Sequence, residues 1–453
     1  MISVNPTNDL TVAEYEETSP DDVEMHLGRA NELQQEWAHT SVAHRAEPMV
    51  RFASILERER DDLAELMANE MGKPIVQGRA EVDKCAWVCR YYAAEASTIL
   101  ADIAVDTGRS SSYIAHRPLG LILAIMPWNF PLWQVIRFVA PALMAGNGVL
   151  LKHASNVTGC AVAIDDMIVE AGFPDGLFRT LVLPSGRVGE VLDHPYVVAA
   201  TLTGSEAAGR SVAARAGHLL KPMVLELGGS DPYLILHDAD LDLAATACST
   251  GRLINGGQSC VAAKRLIVDK TVIGEFIEKL TSTMASYTVG DPLDESTQLG
   301  PMARIDLRDE LHDQVTRSID AGARLVIGGT VPDGPGAFYP PTILADVTSG
   351  MAVYHEETFG PVATVIAAED EADAIRIAND SDYGLGAAVF TTDVERGERI
   401  ARDQLEAGNC FVNGFVGSDP RLPFGGVKAS GYGRELSHAG MKEFVNTKTV
   451  VVN

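Results

Sequence analysis

The chain is poor in cysteine, and the spacing of its cysteines excludes two common uses of the residue. Six cysteines occur in 453 residues, and no two of them are separated by just two residues, as they are in many zinc sites and redox pairs. We therefore expect no metal site and no disulfide framework, and a reduced, cytoplasmic setting. The six are Cys85, Cys89, Cys160, Cys248, Cys260 and Cys410.

Positive charge is also scarce. The sequence has 36 lysines and arginines against 62 acidic residues, a formal net charge of -26, and lysine accounts for only ten of the basic residues. Nucleic acids and anionic membranes attract basic surfaces, so neither is expected as a partner. Two interpretations of the acidity remain open: an ordinary acidic protein, or a halophilic protein whose self-repulsion is screened by a very salty cytosol.

Long apolar runs are missing as well. No run reaches the length needed to span a membrane, and the first residues lack the basic and apolar regions of a secretion signal. A hydrophobic content of 46% in a chain of this length is typical of a globular enzyme with two or three domains.

Apolar periodicity predicts an α/β fold. Three amphipathic helices are expected first, over about 21–37, 42–71 and 80–101. From residue 119 onward, short apolar strands, one of them expected at 181–183, alternate with helices, first to about residue 228 and then in a second series from about 230. Such alternation indicates doubly wound parallel sheets. The exposed-strand pattern at 111–117 and the strand-forming tail at 448–452 are expected to pair with other strand edges.

Cys260 is the first candidate catalytic residue. It follows the stretch Asn255–Ser259, in which two adjacent glycines permit a turn whose backbone N–H groups point at a bound group. The apolar segments that come after it place the thiol between a loop and a rigid element. The alternative is a free cysteine that packs as a small apolar residue.

Asn129 is the second candidate. An apolar strand-length run at 119–126 precedes the proline-bracketed segment Pro127–Pro131, so Asn129 is predicted at the carboxyl end of a buried strand. Open α/β sheets bind their ligands at such ends. A turn asparagine without a chemical role is the alternative interpretation.

Six short segments stand out in order along the chain: Pro127–Pro131, Leu202–Ser205, Leu225–Gly229, Gly257–Cys260, Glu357–Pro361 and Pro423–Lys428. Together they resemble the aldehyde dehydrogenase superfamily over nearly the whole chain. The resemblance implies a Rossmann-like cofactor domain, an α/β catalytic domain and a small β oligomerisation unit.

Four further stretches narrow the likeness within the superfamily: Lys152–Val157, Leu202–Glu206, Glu226–Pro232 and Ser430–Leu436. On these the chain looks most like the shorter bacterial and archaeal succinate-semialdehyde dehydrogenases.

The resemblance also implies a mechanism. Cys260 matches the nucleophile that attacks an aldehyde, Glu226 the general base that activates water, and Asn129 a side-chain donor of the oxyanion hole. A surface carboxylate is the plain alternative for Glu226. Two other classes remain to be excluded: a cysteine hydrolase, which would need a histidine beside Cys260, and an acylating, CoA-dependent dehydrogenase, which typically lacks the glutamate.

A nicotinamide cofactor follows from the same resemblance, although the chain lacks a glycine-rich dinucleotide fingerprint. Many NAD-specific members carry an acidic residue three positions after the lysine that matches Lys152; here that position is Ser155, so NADP is expected to be preferred over NAD. The resemblance implies eight cofactor-binding residues, which are expected at the ribose rings, the nicotinamide and the pyrophosphate. They are Trp128, Lys152, Ser155, Gly204, Ser205, Gly209, Glu357 and Phe359.

The substrate class is implied less directly. Arg137 matches a carboxylate-binding arginine of the succinate-semialdehyde enzymes, but the second arginine of well-known members is replaced by Ile254. Ser418 and Arg421 are candidate replacements. Succinate semialdehyde is therefore the expected small-molecule substrate, with glutarate semialdehyde, aliphatic aldehydes and aromatic aldehydes as alternatives.

Three units are expected along the chain. Residues 1–100 with 119–228 are predicted to form the cofactor-binding domain, residues 229–430 the catalytic domain, and residues 101–118 with 431–453 a bridging unit. Exposed strand edges tend to be covered by a partner, and the resemblance implies a homodimer or homotetramer.

Overall fold

Two large, mostly parallel sheets organise the chain in the computed structural model, which describes residues 1–453. The fifteen helices are α1 Pro20–Ala38, α2 Val42–Arg58, α3 Arg60–Met71, α4 Ile75–Ile99, α5 Trp133–Ala145, α6 Thr158–Glu170, α7 Val188–Asp193, α8 Glu206–His218, α9 Leu241–Leu253, α10 Ile273–Ala285, α11 Ile305–Asp320, α12 Ala352–His355, α13 Glu371–Asn379, α14 Val394–Asp403 and α15 Ser437–Lys442.

Twenty strands accompany these helices. They are β1 Ile2–Val4, β2 Thr11–Glu14, β3 Ile103–Ala104, β4 Ser111–Pro118, β5 Leu121–Met126, β6 Gly148–His153, β7 Phe178–Thr180, β8 Val197–Thr203, β9 Met223–Glu226, β10 Asp231–Ile235, β11 Ala263–Asp269, β12 Arg324–Ile327, β13 Thr342–Ala345, β14 Val362–Ala368, β15 Tyr383–Gly384, β16 Gly386–Phe390, β17 Asn409–Val412, β18 Val427–Lys428, β19 Gly431–Tyr432 and β20 Val445–Val452.

The first large sheet has six strands in the order β19-β9-β8-β5-β6-β7. All its neighbours are parallel except the short β19. Strands β5 and β6 are buried almost throughout, as expected of central strands covered on both faces. The largest apolar core packs helices α2 to α6 against this sheet.

The second large sheet has seven strands in the order β12-β13-β14-β11-β10-β16-β17. Only the edge strand β12 runs antiparallel to its neighbour. The predicted doubly wound α/β class is therefore confirmed: both sheets are parallel in their centres and alternate with helices along the chain.

A third sheet of three strands joins the tail to the middle of the chain. Strand β20 pairs antiparallel with the whole of β4, and β3 pairs with the other edge of β4. The predicted edge-pairing of the tail is thus confirmed. Residues 431–432, expected in the bridging unit, instead form β19 and pair with β9 of the six-stranded sheet.

Two local predictions were wrong. The single helix expected over 42–71 is two helices, because Glu59 leaves the helical conformation between α2 and α3 (φ -88°, ψ 12°). The strand expected at 181–183 lies at 178–180, where β7 pairs with the middle of β6. No helix is both long enough and apolar enough to cross a bilayer.

Candidate active site

Two cavities meet at Cys260. The larger, about 480 Å³, lies along the ends of β8 and β9 and the start of α8; we call it the large cavity. The smaller, about 240 Å³, lies between α4, α5 and the chain around 415–424; we call it the small cavity. Cys260 lines both of them. A thiol in this position can meet one reactant from each side.

The loop of residues 255–260, which we call the nucleophile loop after the predicted role of Cys260, has a backbone that few residues can adopt. Asn255, Gly256 and Gly257 all have positive φ angles, between 56° and 73°. At Gly257 a side chain would also clash with the carbonyl of Gly360, so glycine is required there. This turn delivers Cys260 to the cavities just before the buried strand β11.

The thiol of Cys260 resists ionisation in the free protein. Its burial raises the pKa to about 12, while the positive charges of Arg137 and then Lys264 act in the opposite direction. A thiolate is the reactive form of cysteine. The site therefore needs a base, or a bound group that brings positive charge, before Cys260 can attack.

Lys264 ties the nucleophile loop to the large cavity. Its ammonium group donates hydrogen bonds to the carbonyls of Ser259 (3.0 Å) and Cys260 (2.8 Å). It also donates to Glu357 Oε1 at 2.8 Å, and that same oxygen accepts the backbone N–H of Gly229 at 3.0 Å. The carboxylate predicted to hold a ribose is thus held at a fixed distance from the nucleophile loop.

Asn129 is nearly buried, and its neighbours fix its position. Its backbone carbonyl accepts hydrogen bonds from Lys73 Nζ (3.1 Å) and Asn255 Nδ2 (2.7 Å). Its own Nδ2 donates to the carbonyl of Gln258 at 3.1 Å. An amide nitrogen carries two hydrogens. The second one has no acceptor within the protein, and Asn129 lines the large cavity together with Cys260.

Glu226 ends β9 and has an unusual carboxyl group. Neither of its buried oxygens has a hydrogen-bond partner in the protein. Burial, and then the negative charge of Glu435, raise the pKa of Glu226 well above its ordinary value. A buried carboxyl that retains its proton is poised for general acid and base chemistry.

Arg137 differs from what was expected. It lines the small cavity, yet it is only 2% exposed and forms an ion pair with Glu435. Its guanidinium also lies 5.1 Å from the ring centre of Phe424. The charge predicted to hold a substrate carboxylate is therefore already compensated within the protein. Its removal would leave Glu435 as an uncompensated buried charge.

The residues predicted for the nicotinamide side lie together in the large cavity. Trp128, Glu357 and Phe359 line it, and the rings of Trp128 and Phe359 meet edge to face with their centres 5.7 Å apart. Gly204 and Ser205 line it as well, and Ser205 caps the first turn of α8. The amino terminus of a helix attracts negative charge, which suits a pyrophosphate.

Three predicted cofactor residues lie outside the wall of the large cavity. Gly209 is buried in α8 and packs on Leu227, where a side chain would come within 2.6 Å of a methyl carbon. Lys152 is nearly buried at the end of β6 and forms no ion pair. Ser155, exposed, begins the helical turn that follows. Lys152 and Ser155 thus offer a free cation and a free hydroxyl near one strand end.

Ser418 and Arg421, the two loop residues predicted to bind the substrate, lie in different surroundings. Ser418 lines the small cavity and accepts a hydrogen bond from Lys84 Nζ at 2.8 Å. Arg421 does not line it. The guanidinium is exposed, forms an ion pair with Asp419 and lies over the ring of Trp87. Arg421 therefore lies outside the small cavity, with its charge paired at the surface, and its role as a substrate ligand stays a prediction.

Several site residues were missed in the sequence. A signal for some of them was present: the chain has only ten lysines and three of them lie at this site, so a lysine within an apolar segment was informative. The glutamate partners gave no comparable signal, because acidic residues are abundant. The missed residues are Lys73, Glu81, Lys84, Asn255, Lys264 and Glu435.

Known proteins are similar to this chain over almost its whole length. A sequence model of the aldehyde dehydrogenase family matches residues 1–450. A succinate-semialdehyde dehydrogenase [NADP(+)] of Mycobacterium tuberculosis is 49% identical over 451 residues, which cover 99% of this chain and 98% of that protein.

Solved structures are similar over the full length. The crystal structure of succinic semialdehyde dehydrogenase from Streptococcus pyogenes in complex with NADP+ has a TM-score of 0.97 and 37% identity, and covers 100% of this chain and 99% of its own. An NAD-dependent aldehyde dehydrogenase from Sinorhizobium meliloti has a TM-score of 0.97 and 32% identity. The match covers 100% of this chain and 91% of that one. Since both scores are equal, the backbone alone does not distinguish the two cofactors.

Proposed function

The chain belongs to the aldehyde dehydrogenase family, and we propose that it oxidises succinate semialdehyde to succinate with NADP. The observation that carries this proposal is the position of Cys260, which lines both a large cavity suited to a dinucleotide and a small cavity suited to an aldehyde. The overall reaction consumes the aldehyde, NADP+ and water, and yields the acid, NADPH and a proton.

The first step forms a bond between Cys260 and the aldehyde carbon. The sulfur attacks as a thiolate, and its proton leaves to a base or to water. The carbonyl oxygen becomes an oxyanion, which the free N–H of Asn129 and the backbone N–H of Cys260 would stabilise. Losing one such donor typically costs about 100- to 1,000-fold in rate. Bound NADP supplies the acceptor for the hydride that then leaves the substrate carbon.

The second step breaks the resulting thioester. Glu226 takes a proton from water, the oxygen bonds to the acyl carbon, and the sulfur leaves as a thiolate. The pKa of Glu226, raised by burial, makes it a stronger base than an exposed carboxylate. The presence of this base favours free acid over acyl-CoA as the product.

Lys152 and Ser155 support NADP as the cofactor. The ammonium of Lys152 is nearly buried without a carboxylate partner, so a phosphate would satisfy it. Ser155 neither repels nor crowds a 2′-phosphate. Ser205 and the start of α8 would hold the pyrophosphate, and Glu357 the ribose beside the nicotinamide.

The test of the cofactor is the ratio of kcat/KM for NADP over NAD. We expect a ratio above about 10, because a lysine-phosphate contact is worth at least one charge-assisted hydrogen bond. Ser155→Glu should lower the ratio by repelling the phosphate, whereas Ser155→Ala should change it little. A wild-type enzyme that favours NAD tenfold would contradict the proposal.

A second candidate substrate class follows from the walls of the small cavity. Four aromatic rings line it, those of Phe130, Trp133, Phe415 and Phe424. Such walls also suit an aromatic or longer aliphatic aldehyde. A panel of succinate semialdehyde, glutarate semialdehyde, butanal and benzaldehyde, each assayed with NADP and with NAD, decides between them. The highest kcat/KM on an uncharged aldehyde would exclude the semialdehyde.

The domain division and the assembly are part of this proposal. We assign residues 1–100 and 119–228 to cofactor binding, 229–430 to the catalytic domain, and 101–118 with 431–453 to bridging between subunits. The three-stranded sheet formed by β3, β4 and β20 supports the bridging role, because its tail strand is largely exposed. A homodimer or homotetramer is the proposed assembly.

A further inference from the structure

Gln134 stands with Cys260 where the two cavities meet. These two residues are the only ones that line both the large and the small cavity. Gln134 lies in the first turn of α5, and its side chain is only 1% exposed. The junction of the two cavities is therefore formed by a thiol and a side-chain amide.

The amide of Gln134 has an unusual environment. Its buried carbonyl oxygen accepts no hydrogen bond from the protein. Gln34, another buried glutamine, shows the ordinary case, because its amide nitrogen donates to the carbonyl of Gly146 at 3.1 Å. A buried acceptor without a donor is costly, and an apolar side chain of similar size would fill the same space without that cost. We therefore looked for a partner that Gln134 meets during the reaction.

Glu226 presents acceptors of the same kind to the large cavity. Neither of its oxygens has a hydrogen-bond partner in the protein. The two side chains approach this cavity from α5 and from β9. Arg137, one turn after Gln134 on α5, donates to Thr203 Oγ1 at 3.4 Å, and Thr203 is the strand partner of Glu226.

Two acceptors suit a water molecule that has to attack a carbon atom. Buried polar atoms that lack partners in the protein are commonly satisfied by water, which needs at least two of them. A water that donates both of its hydrogens keeps its lone pairs for the new bond. Glu226 would receive one hydrogen and Gln134 the other, which turns the water oxygen towards an acyl group on Cys260.

We propose that the side-chain carbonyl of Gln134 is the second acceptor for the water that hydrolyses the thioester. The inference rests on the proposed function and adds a catalytic residue to its second step. In that step the water oxygen bonds to the acyl carbon, one proton passes to Glu226, the carbon–sulfur bond breaks, and the sulfur leaves as a thiolate. Gln134 neither gains nor loses a proton; it orients the attacking oxygen.

The test separates acylation of Cys260 from hydrolysis. Gln134→Met removes the acceptor with little change in volume, so the burst of NADPH should keep its wild-type rate constant. The hydrolysis rate, measured as the decay of the acyl-enzyme in a single turnover, should fall about 10- to 100-fold, the cost of a misplaced reactant. During steady turnover, acid quenching and intact-protein mass spectrometry should show most Cys260 side chains acylated.

A second glutamine provides the matched control. Gln34→Met removes a hydrogen bond far from the cavities, so it should lower the free energy of unfolding in urea and leave the hydrolysis rate unchanged. Gln134→Met should do the reverse, because it replaces an unpartnered polar group by an apolar one of similar shape. If the methionine variant of Gln134 does not fold, Gln134→Leu takes its place.

Two further variants test the role of the acceptor itself. Gln134→Glu keeps an oxygen at the same position, so the acyl-enzyme should not accumulate, even if the added negative charge slows the attack by Cys260. The double variant Gln134→Met with Glu226→Gln should hydrolyse the thioester about as slowly as Glu226→Gln alone. Two residues that hold one water act as a unit, and their effects do not add.

The outcomes distinguish this inference from the proposed function. If the wild-type enzyme forms no acyl-enzyme with any aldehyde of the panel, the proposed function fails. If the wild type is acylated and turns over, and Gln134→Met hydrolyses the thioester at the wild-type rate, the inference is overturned. A slower burst or a higher KM with unchanged hydrolysis would also overturn it, since Gln134 would then contact the aldehyde and not the water.

Discussion

Glu226 occupies a site in which ionisation is costly. It is 2% exposed, its oxygens lack hydrogen-bond donors, and the carboxyl of Glu435 lies within electrostatic reach. These conditions keep a proton on the group at pH values where an ordinary carboxyl has lost it. The residue therefore has the properties of a base that becomes active as the pH rises.

Glu226→Gln should separate the two chemical steps. The amide has a similar shape but cannot accept a proton from water, so turnover is expected to stall at the thioester. Rapid mixing with saturating aldehyde and NADP should show a burst of NADPH near one per active site, followed by a steady rate reduced by about 100- to 10,000-fold. Loss of the burst would instead place Glu226 in the activation of Cys260.

The same substitution should change how stability depends on pH. The pKa of Glu226 is raised in the folded state, so the folded state binds more protons than the unfolded state once the pH exceeds the ordinary value near 4.5. The free energy of unfolding contributed by this group then falls as the pH rises towards the folded pKa.

Denaturant unfolding between pH 5 and pH 9 tests the sign. The free energy of unfolding of the wild type should fall relative to that of Glu226→Gln as the pH increases. The glutamine variant is a near-isosteric control that does not titrate. A difference that stays constant, or that grows in favour of the wild type, would show that the carboxyl is ionised without cost.

At the scale of elements, the turn between β5 and α5 is held from three sides. Lys73 and Asn255 donate to the carbonyl of Asn129. His153, at the end of β6, is hydrogen-bonded through Nε2 to the carbonyl of Pro131 at 2.9 Å. Burial lowers the pKa of His153 to about 4, so the ring is neutral at physiological pH. The position of Asn129 is thus set by the linker between α3 and α4, the loop before Cys260 and strand β6 together.

Removing one of these contacts should lower both the free energy of unfolding and the catalytic rate. Lys73→Met leaves Glu81 as an unpaired buried charge, which typically costs about 3–5 kcal/mol of unfolding free energy. Urea denaturation measures that loss. The oxyanion contact should suffer as well, seen as a lower kcat for every aldehyde in the panel.

The double variant Lys73→Met with Glu81→Gln is the control for the charge. Glu81 accepts the N–H groups of Leu132 and Trp133 at 2.9 Å, and glutamine retains an acceptor for them. Part of the lost stability should return, because no buried charge remains. An equal loss in both variants would mean that packing, and not charge, makes Lys73 important.

At the scale of the whole molecule, the tail strand offers a surface for assembly. Residues 445–452 pair along β4, and the apolar side chains of Val451 and Val452 are about half exposed, at 47% and 50%. Exposed strand edges tend to pair with another chain. Truncation after Asn446 should therefore yield monomer or aggregate by native mass measurement, while an unchanged mass would contradict the bridging role.

The net charge of -26 leads to a prediction about salt. Repulsion among surface carboxylates destabilises the compact state at low ionic strength, and molar salt screens it. If the acidity is a halophilic adaptation, the midpoint of thermal unfolding should rise between 0.1 M and 2 M KCl. A midpoint that does not rise would identify an ordinary acidic protein.

Much of the fold was open to prediction because its signals are local. Apolar periodicity and turn residues depend on neighbours in the chain, so the alternation of strands and helices, the pairing tendency of the tail and the turn before Cys260 could be inferred. Cys260, Asn129 and Glu226 could also be inferred from the sequence, because each lies in a short local motif. The break between α2 and α3 at Glu59 was not predicted, because only one residue leaves the helical conformation inside an otherwise continuous apolar pattern.

Only the tertiary structure shows which charged side chains have an ion-pair partner. Arg137 and Glu435 are 298 positions apart in sequence yet form one buried ion pair, and Lys84 contacts Ser418 across 334 positions. Electrostatic energy depends on distance in space and on the depth of burial, and neither is written in the order of residues. For that reason the sequence by itself determined that the chain carries aldehyde dehydrogenase chemistry, whereas the ion pairs among its distant charged residues were decided only by the tertiary structure.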